Sequence, residues 1–559
     1  MSIFKLGGTM RTVYLVLIST LCFALLITGC SKEESETSTS TTSTTSTTST
    51  TSSSSNSEFL VAIPSNLAVS SNTGSGSSVS SRTLGRTAQA VSDTTDPVSQ
   101  NDKVTRLQAV LNSTSLDECH KAIPKTMKYS GGQYVDCYGP ELAYVNHPNW
   151  EGGTGFSRDN STLPTGDLGI WTAYNDNTTQ EACAAGQMNL LMKKTSKKID
   201  LAMGISAMLV CAAKNDNLTL PAVGASALDV KDSLNKTKME DERGGMSITS
   251  ATIQRTSLTS GDTLWTSSLA GSFTATGDAS SQGFSIILKH VPATEGTTVS
   301  TAGEGLIQMH QTGLSETDMN CGSNSLSLAN SVLYKNTSDN LSFRAIRAKF
   351  PSTISDASNF YESDGEVRKK SKNDDTTNGW CADYNVVVAN VDSSGFGKVS
   401  YAWQAGPMDG YTRTFNIKTD NNSSDNQTGD AYFGFNPNPD DSSGSDDYRS
   451  TSIDRMICNW AGPGNGPSAK SAGVGLLQRQ QLEYDSTNYV WKSSSDNITF
   501  APTTNCDFST SDNRSYDNLS QSNTTFGGSG DNITNNLVDN STYITNYVSQ
   551  PSAPTVTLE

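Results

Sequence analysis

MSITSATIQ, from Met246 to Gln254, and TLWTSSLAGSFT, from Thr263 to Thr274, alternate apolar and polar residues at period two on either side of the turn Ser260-Gly261-Asp262. That period belongs to a strand with one buried face, and Gly/Asn/Asp/Ser clusters supply the reversals between strands. The same pattern continues downstream at Gly283 to Val291, Gly305 to Gln311, Ser325 to Tyr334, Leu341 to Phe350, Asn385 to Val391, Lys398 to Ala405 and Thr412 to Ile417. It ends with Ala431 to Phe435, Ile453 to Trp460, Gly473 to Tyr484 and Asn488 to Lys492. Many strands with short connections and no helical pattern between them predict an antiparallel sandwich, barrel or large curved sheet. Between Asp507 and Glu559 the chain is rich in Asn, Ser and Thr, and its few apolar residues (Phe526, Leu537, Tyr543, Ile544, Val548) suffice for one edge strand or a tail.

Upstream of Gly244-Gly245 the period changes. Val104, Leu107, Val110 and Leu111 recur at helical spacing, and Ser115 with Glu118 has capping-box spacing for a short second helix that must stop by Pro124. The strongest helical region is Thr178 to Lys214, opened by a second capping box at Thr178 and Glu181. As one rod it would hold Cys183 and Cys211 about 42 Å apart at 1.5 Å per residue. A hairpin turning near Lys194 to Lys197 would bring them within disulfide reach, and the hairpin is the expectation. Met188, Met192, Met203 and Met208 read as core filler in preference to a soft binding groove. The fold class expected is mainly β with a smaller helical subdomain, α+β overall.

The first residues carry a different message. Lys5 and Arg11 precede an apolar run from Thr12 to Ile27, and small residues follow at Thr28 and Gly29, as in an export signal. The run of about 16 residues is shorter than the roughly 20 that a spanning helix needs. Ile27-Thr28-Gly29-Cys30 resembles the lipobox of bacterial lipoproteins. The resemblance implies a diacylglyceryl thioether on Cys30, cleavage after Gly29, and usually acylation of the freed amine. Ile27 and Thr28 stand where that family usually has Leu and Ala or Ser; Ser31, in place of Asp, implies the outer membrane in a Gram-negative cell. An ordinary signal peptide or an uncleaved anchor is the alternative. From Glu36 to Ser55 the chain is nearly pure Ser and Thr, with nothing to bury, so it reads as a flexible tether. Phe59 to Ile63 is a short candidate strand, and Ser65 to Gln100 returns to polar composition. The expected organisation is a signal over 1–29, lipidated Cys30 with a tether to 100, a helical or mixed subdomain over 101–240, an antiparallel β domain over 241–505, and a polar segment over 506–559.

The formal net charge is −17 and the pI near 4.7, so neither nucleic acid nor anionic headgroups are expected as main partners. The Lys193, Lys194, Lys197, Lys198 and Arg368, Lys369, Lys370, Lys372 clusters are short and read as solvated faces or loops. Of ten cysteines, Cys22 leaves with the signal and Cys30 takes lipid. Cys119, Cys137, Cys183, Cys211, Cys321, Cys381, Cys458 and Cys506 are left, an even set that reads as four disulfides in an exported protein. Their connectivity is open; sequential pairing is the expectation, since each neighbouring couple falls in one apparent unit. No pair has CxxC spacing, so no zinc site is expected.

No catalytic or cofactor constellation stands out. Only His120, His147, His290 and His310 could serve as a base, and no G-x-S-x-G elbow is present. His290 and His310 read as surface or lining residues of strands. Ser260-Gly261-Asp262-Thr263-Leu264 resembles a GDSL-hydrolase motif with Thr where the nucleophilic Ser belongs. Asp441-Ser442-Ser443-Gly444-Ser445 resembles the ion-holding motif of von Willebrand A domains, but follows Asn436-Pro437-Asn438-Pro439-Asp440 where that family has a buried strand. Acidic stretches at Asp420 to Asp430 and Asp440 to Asp447 lack EF-hand spacing. Trp380, Trp403, Tyr411, Trp460, Tyr489 and Trp491 are candidates to stack on sugar rings, although alternate-position aromatics are more often core. The expected role is a lipid-anchored envelope lipoprotein that binds a glycan or an envelope protein; an envelope hydrolase with a noncontiguous site, or a carrier of an apolar ligand, is the alternative.

Overall fold

The computed structural model describes residues 107–123 apart from 108, 183–237, most of 246–501 outside several connecting segments, 537–539 and 550–559, all in one unit. The strands are β1 Leu228–Asp229, β2 Ser247–Ser257, β3 Thr263–Phe273, β4 Gln282–Glu295, β5 Thr298–Ser315, β6 Ser325–Asn336, β7 Asn340–Pro351 and β8 Tyr384–Asp392. They continue as β9 Gly397–Gln404, β10 Thr412–Asn421, β11 Gln427–Asn436, β12 Arg455–Ile457, β13 Leu477–Asp485, β14 Val490–Ala501 and β15 Leu537–Asp539. All belong to one antiparallel sheet in which each strand from β1 to β12 pairs with the next. The sheet forks at β11, whose free edge takes β12 at Phe435 and β13 along Thr428 to Phe433; β14 adds to β13 and β15 to β12. The predicted mainly β, α+β fold is therefore present as a large curved open sheet. Register shifts in β2, β4, β5 and β13 add local twist. Pro292 lies at the β4 shift, where no ladder donor is needed, and Gly313 adopts φ +75° at the β5 shift.

One face of the sheet packs on helix α1, Cys183–Asn215. Ile253, Trp265, Leu269, Phe284, Ile286, Ile307, Val332, Phe343, Val387 and Phe415 share a core with Ile199, Met203, Leu209 and Val210 of α1. That core joins residues on both sides of the boundary expected at 240/241. From Ala202 to Ala213 the helix is buried on every side, as its all-round apolar sequence requires. Its far side is covered by 107–123, where residues 109–112 are helical and a 3-10 helix spans Leu116–Ala122. Gly204 marks the crossing, since a Cβ there would stand 2.3 Å from the Ala122 carbonyl oxygen. Met203 and Met208 are core residues, as expected.

Three expectations are corrected. α1 is one continuous helix, not a hairpin: the sequence around Lys194 to Lys197 contains no Gly, Pro or Asn to stop it. Cys211 consequently cannot reach Cys183 and is bonded to Cys119, with Cα atoms 5.5 Å apart, so the pairing is not sequential. Ser115 does precede a short helix ending before Pro124, but makes no side-chain cap; its backbone N–H donates to Ser113 Oγ at 3.1 Å. Among the described residues no helix is long and apolar enough to cross a membrane.

The other, outer face is covered in part. Phe360 and Val367, from the connection between β7 and β8, join Ile346, Phe350, Tyr384 and Val386 in a second cluster with Ala553 against it. Residues 550–559 also pack on this side: Thr451 donates to Gln550 Oε1, Thr557 N–H donates to Glu304 Oε1 at 3.2 Å, and Leu558 packs on Leu258, Leu264 and Val291. The inner face is thus filled by helix, and the outer face is floored by strands with two rims of coil.

Candidate functional site

Cross-strand register decides which side chains meet on the outer face. Ser285 of β4 stands opposite His310 of β5, and Ile287 opposite Gln308. Over β5 to β7 the 357–368 segment folds into a tight loop closed by the Tyr361–Val367 bridge, with Gly365 at φ +83°. A Cβ at Gly365 would meet Leu306 Cδ2 at 2.4 Å, so glycine permits both the turn and its contact with the sheet. Gln308 Nε2 donates to the Gly365 carbonyl at 2.8 Å, and Val367 N–H donates to Ser331 Oγ at 3.0 Å. Phe360 packs between His310 and Phe350, at ring separations of 5.3 and 5.4 Å.

An ion cluster fastens the loop. Arg344 of β7 grips buried Glu366 with a bidentate pair along one guanidinium edge, Nε donating to Oε1 at 2.8 Å and Nη2 to Oε2. Arg449 bridges Glu366, at 2.9 Å, and Asp364. Burial alone would raise the Asp364 pKa; the hydrogen bonds from Arg449 and the Glu366 N–H, with the charges of Arg449 and Arg344, outweigh it and hold the carboxyl below its ordinary value.

Where the loop steps down to the exposed part of the sheet there is a cavity of about 370 Å³, lined by Ser285, Ile287, Gln308, His310, Ser358, Tyr361, Glu362 and Ser363. Burial lowers the His310 pKa and raises that of Tyr361, so both rings are neutral at pH 7. The Tyr361 hydroxyl donates to the Asn330 carbonyl at 3.4 Å, fixing the ring at the rim. The lining therefore offers hydroxyls, a carboxamide, a neutral imidazole, one carboxylate and an aromatic ring, with no basic side chain. Such a set hydrogen-bonds a neutral polyhydroxyl molecule and repels an anion.

His310 thus lines a cavity, whereas His290 is fully buried on the inner face and bonds through Nδ1 to the Tyr334 hydroxyl at 2.8 Å. His120 is buried beneath the 3-10 helix segment it belongs to, and His147 is outside the described residues. Ser260-Gly261-Asp262 is the β2–β3 turn, with Ser260 Oγ donating to Asp262 Oδ2 at 2.8 Å and Gly261 at φ +90°. Arg368 stacks on Phe350 at 4.8 Å and donates to the Asn359 carbonyl, and so helps to hold the loop. Cys30, Cys137, Cys321, Cys381, Cys458, Cys506, Asp441 to Ser445, Trp380, Tyr411, Trp460 and Tyr489 lie outside the described residues, as do the side chains of Cys183, Trp403 and Trp491. Among the described residues no three metal-binding side chains gather. Tyr361, Glu362 and Gln308 were not among the candidates: the loop has no periodicity, and only the uneven polarity of the β5 stretch around Gln308 and His310 marks it. No protein-family model, curated protein or solved structure matches this chain.

Proposed function

We propose that this chain is an exported, lipid-anchored envelope lipoprotein, held through Cys30 at the outer membrane, whose folded part is a non-enzymatic module binding a glycan. The observation that carries the reading is the cavity beside His310 and Tyr361, with its neutral hydrogen-bonding lining and aromatic rim. The export signal, lipobox resemblance and polar tether support the address, and a charge of −17 favours a neutral ligand over a polyanion. A carrier of apolar ligand is less well supported, because α1 fills the inner face where such a cavity would lie.

A hydrolase is the second reading, since Ser285 and His310 are direct cross-strand neighbours with Glu362 in the same cavity. One experiment addresses all three parts. Full-length protein and Cys30→Ala and Tyr361→Ala variants are fractionated from expressing cells, then applied to an array of neutral glycans and to a fluorophosphonate probe. Cys30→Ala is expected in the soluble fraction with glycan binding intact; Tyr361→Ala should lose at least tenfold in affinity. Labelling at Ser285 would replace the binding-only reading, and Cys30→Ala that still fractionates with membranes would remove the anchor.

A further inference from the structure

The cavity adjoins a part of the outer face that none of the described segments covers, and the register shows what lies there. Counting outward from Gln308, the row is Ile287, Ser268 and Thr252; from His310 it is Ser285, Ala270 and Ser250. A third row runs from Leu306 through Lys289 and Thr266 to Gln254. Every position of these rows on β2 to β4 is at least partly exposed. Apart from Ile287 these positions are small or polar, and Lys289 is the one basic residue among them. The 357–363 loop bounds this floor along β5, and residues 557–559 bound it beside the β2–β3 turn, where Thr259 Oγ1 donates to the Glu559 carbonyl at 3.3 Å.

We propose that this floor is the continuation of the binding site, and that the ligand is an extended neutral polysaccharide lying across β2, β3 and β4 with one unit held in the cavity beside Tyr361. The proposal rests on the glycan reading above and specifies the length and course of the ligand. Three strand spacings of about 4.8 Å separate β2 from β5, room for several units beyond the one in the cavity. Each of the three strands brings at least one hydroxyl group to the floor (Ser285; Thr266 and Ser268; Ser250 and Thr252), supplying donors and acceptors to each unit in turn, and these side chains are short enough to admit a chain. Neutral chemistry follows from the floor itself, which carries one lysine, with one carboxylate, Glu362, in the adjoining cavity.

The test is a calorimetric or surface-plasmon titration of the full chain with cello- and chito-oligosaccharides of one to six units, and with an anionic alginate series. In a productive series affinity rises at least tenfold from one unit to four, then levels off, and alginate does not compete. Thr252→Lys and Ser268→Lys, both at partly exposed strand positions, should reduce hexamer affinity to that of the dimer and leave monomer binding unchanged, with circular dichroism reporting an intact sheet. Affinity independent of length in the unmodified protein would overturn the extended site and leave the cavity reading standing, even if the lysine variants misfold. No binding at any length would overturn the glycan reading itself.

Discussion

His290 shows what a single buried polar residue costs and how the neighbouring strand makes room for it. The cross-strand row runs from His290 to Gly305 to Tyr334, so the imidazole and the phenol flank a strand that has no side chain between them. A Cβ at Gly305 would lie 2.6 Å from the Tyr334 hydroxyl; glycine is what lets the hydrogen bond cross. Burial is the main cause holding the His290 pKa down to about 3, against a weaker opposing hydrogen bond involving the Glu304 backbone. The folded state therefore binds a proton far less readily than the unfolded chain. Stability is unaffected above about pH 6.5 and falls by about 1.4 kcal/mol per unit as pH drops from there toward 3. Urea midpoints measured at pH 7.5, 6.0 and 5.0 should decline in the unmodified protein and decline less in His290→Gln; parallel slopes would remove His290 as the cause. Keeping above pH 4.5 excludes Asp364, whose lowered pKa contributes stability that is lost only as pH falls below the ordinary carboxylate range. The sequence placed His290 in a strand, but the reading of it as a surface or lining residue is corrected by its full burial on the inner face. Its even-numbered alternation with Phe284, Ile286 and Leu288 was the available signal.

At the scale of elements, strands were legible and so was the helical stretch that forms α1, but not its continuity as one rod. Each strand carries its own alternation and is closed by a local turn, so nothing distant is needed to place it. Continuity of α1 depends on the absence of a breaker, a weaker signal than two cysteines that a hairpin would have joined. Cys119 was available to neither argument because its approach depends on the packing of Gly204 against Ala122. The bond it forms closes a loop of 92 residues and fastens the 107–123 cover to α1. In the chain-entropy model such a loop contributes roughly 4–5 kcal/mol. Cys119→Ser with Cys211→Ser should lower the guanidinium midpoint accordingly, and reduction of the unmodified protein should reproduce the loss. Unchanged midpoints in both would show that packing alone holds the cover, with Lys214 Nζ on the Leu111 carbonyl at 2.9 Å and Asn215 Nδ2 on the Ser113 carbonyl at 3.1 Å as its ties.

For the whole molecule, the sheet could be read from sequence because neighbours in the chain are neighbours in space, whereas the candidate site could not. Its cavity is made by a loop without periodicity lying on a strand face, and the floor beside it is bounded by residues nearly 300 positions from their contacts, as in the Thr259–Glu559 hydrogen bond. That contrast has a temporal side. Pairing each strand with its successor keeps loop-closure entropy small, so contact order is low across β2 to β10 and these strands are expected to zip along the chain from one neighbour to the next. The rim at 557–559 spans 253 to 300 residues to its partners and is expected to form last. Pulse-labelling hydrogen exchange during refolding should therefore protect amides of β3 to β7 before that of Thr557; simultaneous protection would contradict it. A newly folding copy would present its floor open on one side before the rim docks.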